Sequence, residues 1–116
     1  MEAEIKNRTK RIGLEAITIA EQLPNKPAAW VIGKQLIRCA TSVGANYRAA
    51  CRAKSKADFV YKLRIVEEEA DETIFWLEML EESRLVQPKS TEKLQGEVNQ
   101  ILAIIVASVK TLKRRG

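Results

Sequence analysis

A helical period runs almost from end to end of this chain and is broken in only three places, which leaves very few folds open to it. Apolar side chains three or four residues apart line one face of an α-helix, whereas strands alternate every second residue. The first run, 2–23, puts Ile5, Ile12, Ala16, Ile19 and Leu23 on one face, with Gly13 as its weak point. Pro24-Asn25-Lys26-Pro27 stops it, since proline disfavours α geometry in the residue before it. The second run, 28–53, carries Ile32, Leu36, Ala40, Val43, Tyr47 and Ala50. Gly44 interrupts it and marks either a bend or a close helix approach. The third, 56–83, has Ser55 and Asp58 as a capping pair and a buried stripe of Leu63, Val66, Ala70, Thr73, Leu77 and Leu80. After a turn at Gln87-Pro88-Lys89, Ser90 is expected to cap a fourth helix over 91–113, which ends in cations suited to a helix C-terminus. No strand pattern appears.

Four helices of similar length with short connections predict an all-α, antiparallel up-down-up-down four-helix bundle. At 116 residues the chain is expected to form one domain spanning 1–116. Five glycines and three prolines, with 46% apolar and 30% charged residues, agree with a helical globular protein. The fourth helix offers Val98, Ile101, Leu102, Ile104, Ile105, Val106, Val109 and Leu112, more than one narrow stripe. Either its core stripe is wide, or a second subunit covers part of it; Ile104 and Val106 are the interface candidates.

Catalytic machinery is not expected. Histidine is absent, which removes the commonest general base and metal ligand together. Neither cysteine has a CxxC partner, and the scattered glycines build no phosphate loop. No cofactor or metal is therefore expected. Cys39 and Cys51, on one helix, would lie about 18 Å apart, too far for a disulfide. Two reduced thiols, a charged amino terminus and no long apolar segment predict a cytoplasmic protein without a membrane partner.

The net charge of +5 raises the prospect of polyanion partners such as RNA or DNA. Lys34, Arg38, Arg48 and Arg52 fall within an arc of roughly 80° on the second helix, opposite its apolar face. Glu67, Asp71, Glu78, Glu81 and Glu82 share a flank of the third. Two readings stay open: the cations meet phosphates, or they pair with carboxylates, the latter favoured for Arg38 and extending to Arg48. The phosphate candidates are Arg48, Arg52, Lys54, Lys56, Lys110, Lys113, Arg114 and Arg115. Trp30, Phe59, Tyr61, Phe75 and Trp76 sit mostly at core-compatible positions, which argues against sequence-specific reading of single strands.

The ordered blocks Gln35-Leu36-Ile37-Arg38-Cys39-Ala40-Thr41-Ser42-Val43-Gly44-Ala45-Asn46 and Arg52-Ala53-Lys54-Ser55-Lys56-Ala57-Asp58-Phe59 carry a family likeness, continued by Leu63, Glu72-Thr73 and Trp76-Leu77-Glu78. With them the chain resembles the four-helix bundle proteins encoded in 23S rRNA intervening sequences. The resemblance implies an antiparallel bundle, and in some relatives a homopentamer. The accessory variability proteins of diversity-generating retroelements are similar in fold, and they imply a basic surface facing nucleic acid and a reverse transcriptase. Arg38, Asn46, Asp58 and Phe59 match the family pattern and are taken as structural. Where the family often has Asn-x-Ala-Glu-Gly, this chain has Asn46-Tyr47-Arg48-Ala49-Ala50, so no role resting on that glutamate or glycine carries over. The expected protein is a non-enzymatic homo-oligomer, a pentamer by this resemblance, binding RNA or DNA non-specifically. The alternative is an adaptor that recruits a protein such as a reverse transcriptase.

Overall fold

A computed structural model describes residues 1–115; Gly116, the last residue of the expected domain, lies outside the described residues. It contains four helices, α1 (Glu2–Glu21), α2 (Pro27–Cys51), α3 (Lys56–Glu82) and α4 (Pro88–Arg114), and no strand among the described residues. They form a bundle 49 Å long and 20 Å across, packed in the cyclic order α1–α2–α3–α4 with α4 back against α1.

Neighbouring helices pair in opposite sequence order. Gly13 of α1 faces Thr41 of α2, whereas Gly44 further along α2 faces Thr9. Arg38 meets Glu69 and Glu72 across α2–α3, Glu81 meets Thr91 and Gln95 across α3–α4, and Arg8 meets Glu97 across α1–α4. At the other end of these seams Cys51 and Phe59, Leu63 and Ile105, and Ile5 and Ile105 wall one cleft, so each neighbour runs antiparallel to the next.

The stripe expected on α3 is its buried set residue for residue, and all six expected positions of α2 are buried. Ser55 caps α3 as anticipated, its Oγ accepting the Asp58 amide at 3.1 Å. α3 closes with Arg84 in the left-handed region (φ 64°), where the Leu85 amide reaches back to the Leu80 carbonyl at 3.1 Å.

Two helix starts differ from the sequence reading for one reason. Proline ends a helix that precedes it, but its fixed φ and missing N–H suit the first helical position, where that donor has no partner anyway. Hence α2 begins at Pro27 and α4 at Pro88. Gln87, not Ser90, occupies the N-cap of α4; Ser90 lies inside the first turn, its hydroxyl donating to the Gln87 carbonyl at 2.6 Å.

Gly44 makes a close approach, and α2 runs through it without a break. A Cβ there would stand 3.1 Å from the Thr9 carbonyl oxygen and 3.2 Å from the Lys10 nitrogen, both backbone atoms. The α4 apolar set resolves as a wide core stripe. Val98, Ile101, Ile105 and Val109 are buried, while Leu102, Ile104, Val106 and Leu112 are half-buried within the same chain. Leu102, Ile104 and Leu112 pack against the core with part of each side chain still exposed, and Val106 is half-buried outside that cluster.

The glycine contrast is testable by urea unfolding. Gly44→Ala is expected to cost about 1–3 kcal/mol because backbone must move aside. Gly96→Ala, with nothing within 4 Å of its added Cβ, is expected to stabilise α4 by about 0.5–1 kcal/mol.

Candidate nucleic-acid interface

With four antiparallel helices, the α2–α3 turn and the α4 C-terminus come to the same end of the bundle. One cleft there is walled by Met1, Glu2 of α1, Cys51 of α2, Phe59 of α3 and Leu112 of α4. The phosphate candidates therefore lie at one end of the bundle although half the chain separates them in sequence. Arg48, Arg52, Lys54 and Lys56 border the turn, and Lys110, Lys113, Arg114 and Arg115 end α4. All eight are exposed, and none forms an ion pair with a carboxylate of the described residues.

Helix electrostatics accounts for only part of this cluster. Cations at the C-termini of α2 and α4 are favoured by the helix dipole, which covers Arg48, Lys113 and Arg114. Lys56 is the first residue of α3, where the dipole disfavours a cation, and Lys54 sits in the preceding turn. The helix dipole explains neither, although the Lys54 charge helps hold the Asp58 carboxylate ionised.

Asp58 is the carboxylate nearest in sequence to the cluster, and it is committed. It accepts from the Lys54 backbone amide at 3.2 Å and from Lys62 Nζ at 3.1 Å, and both interactions hold its carboxyl below the usual range. Asp58 thus ties the α2–α3 turn to the first turns of α3. Asn46 donates to the Ser42 carbonyl at 2.9 Å along α2. Phe59 is half-buried against the core and lines the cleft.

Arg38 is removed from the phosphate stripe by its partners. It pairs with Glu69 at 3.5 Å and with Glu72, which also accepts from Trp76 Nε1 at 3.2 Å. The acidic flank read from the sequence is not what it meets; Glu69 and Glu72 face α2 instead. Within that flank, Glu81 ties α3 to α4 by accepting from Thr91 and Gln95. Arg48, unlike Arg38, has no such partner among the described residues.

One interaction had no local signature in the sequence. Arg8 donates to Glu97 through Nε at 2.9 Å and Nη2 at 2.8 Å, and to Gln100 at 2.9 Å. This fork closes the α1–α4 seam, and the guanidinium holds the Glu97 carboxyl below its ordinary range. Aromatic placement also departs from expectation. Trp30, Tyr61 and Phe75 are exposed at 60%, 64% and 49%, so they are surface groups and not core.

No helix among the described residues is long and apolar enough to cross a membrane, and no group of three or more Cys, Asp or Glu side chains there could hold a metal ion. Fold and surface together define a four-helix bundle with eight exposed cations, unpaired among the described residues, at one end. The sequence model of the 23S rRNA-intervening sequence protein family matches residues 1–107, and the chain belongs to that family. A crystal structure of a Bacteroides thetaiotaomicron protein of unknown function, from the S23 ribosomal protein family, is similar at 30% identity with a TM-score of 0.87. The match covers 94% of this chain and 97% of that one. No curated protein matches.

Proposed function

We propose that this protein is a non-enzymatic module that binds the phosphate backbone of RNA or DNA through its cationic pole, without strong sequence preference. The observation that carries the reading is the set of eight exposed cations, drawn from two distant stretches, that no carboxylate of the described residues neutralises. Lys54 and Lys56 weigh most, because helix capping does not explain them. Phosphate neutralisation releases counterions, so such binding is strongly salt-dependent and insensitive to base identity.

Self-association completes the proposal, on ground other than α4. Phe75 and Met79 lie four apart on α3, exposed at 49% and 39%, with Phe75 edge-on to Trp76 at 5.0 Å between ring centres. An outward apolar pair supported by a half-buried tryptophan suits contact with another copy, and several copies multiply the cationic poles. We place the assembly at five subunits, the number the family resemblance implies. The same outward pair also fits the adaptor reading, in which α3 holds a partner protein; capture of one partner that survives nuclease treatment would favour it.

Two measurements test these claims. Affinity for a mixed-sequence oligonucleotide should fall linearly in log–log form with salt, and Arg52→Glu with Lys56→Glu should weaken it about tenfold or more while flattening the slope by about two. Tight binding indifferent to both changes contradicts the phosphate reading. In sedimentation, the native chain should run as a multiple of 13.1 kDa and Phe75→Glu as a smaller species. A native chain already monomeric at high concentration contradicts the assembly.

A further inference from the structure

The cleft at the cationic pole exists because two helices differ in length. From the Arg8–Glu97 pair, α1 continues toward this pole for about 9 Å and α4 for about 25 Å, at 1.5 Å per residue. The last turns of α4 therefore overhang the start of α1 and leave apolar surface uncovered. The result is a cleft of about 650 Å³ with Ile5, Leu63 and Ile105 in its floor and Ile104, Ser108 and Leu112 along one side. That size is typical of sites for small organic groups. Its polar groups are few. Tyr47 and Cys51 lie side by side; burial pushes the tyrosine up to about 12 and the thiol above its usual range, so both stay protonated donors at neutral pH. The Glu2 carboxylate stands at the mouth as an acceptor.

The exposed cations on the same helix sides as this lining are Lys56, one turn before Phe59 on α3, and Arg115, one turn beyond Thr111 at the end of α4, whereas Arg52, Lys110 and Lys113 turn toward the outer faces. A flat-faced apolar group carried on a chain of phosphates matches both parts at once. We infer that the cleft takes one unpaired base of a single strand, while the cations about its rim hold the phosphates on either side. The inference rests on the phosphate-binding reading and narrows it from nucleic acid in general to single strands. A duplex keeps its bases stacked and paired, so it can touch the rim but cannot fill the cleft without extruding a base. Selectivity here is for the unpaired state and not for sequence, because any base offers an apolar face to the aliphatic walls and to Phe59.

Cys51 reports on occupancy, since it lines the cleft, while Cys39 is fully buried and serves as a silent control. The native protein is saturated at low salt with a deoxyadenosine dodecamer, or with a hairpin duplex of equal phosphate number, and treated with N-ethylmaleimide in alkaline buffer. The single strand should slow Cys51 modification about tenfold and the duplex should leave it unchanged. The single strand should also bind about tenfold more tightly at matched salt. Ser108→Leu, which fills the cleft, should abolish that preference without altering the salt slope. Equal protection by both nucleic acids, or none by a bound single strand, overturns the inference and leaves phosphate binding intact. Absence of binding by either overturns both. Protection by decanoate but not by the strand assigns the cleft to an acyl anion and overturns the inference.

Discussion

Everything at the surface of this protein follows from a constraint of chain geometry. In a bundle of four antiparallel helices, the second connection and the end of the fourth helix must lie at the same pole. The chain therefore need not place its cations together in sequence to bring them together in space. Arg48 to Lys56 and Lys110 to Arg115 reach one end of the bundle because α3 and the turn before α4 return the chain to where α2 left it. Mutual repulsion among exposed cations is weak at physiological ionic strength, and the C-terminal dipoles of α2 and α4 offset part of it.

The four seams are not equal, and their differences set the shape of the pole. α1 and α2 approach closely because Gly13, Gly33 and Gly44 remove side chains where the helices touch. α2 and α3 are held by the Arg38–Glu69–Glu72 group over a continuous apolar layer. The α1–α4 seam has the fewest contacts and depends on the bidentate Arg8–Glu97 pair. Below that pair the short α1 ends and α4 continues. The open end of that seam is thus the cleft, at the same end of the bundle as the eight cations.

Local physics was legible in the residues, and long-range physics was not. The α3 stripe and the Ser55 cap could be read because each depends on neighbours within a turn or two. Pro27 and Pro88 misled the boundaries because a proline both ends one helix and starts the next. The breadth of α4 could be counted, but whether its own companions cover Ile104 and Leu112 depends on packing that no single helix encodes. Arg8 and Glu97 are 89 residues apart and carry no mutual signal. The cationic residues were all visible, and only the bundle's topology shows that they share one pole.

Amide hydrogen exchange of the native chain with and without a bound oligonucleotide tests most directly whether that pole is the working surface. Slowed exchange at residues 48–58 and 108–115 together, with the opposite end around residues 78–92 unaffected, is the result that follows from the shared pole. Protection confined to residues 78–92, or to only one of the two basic stretches, would contradict it.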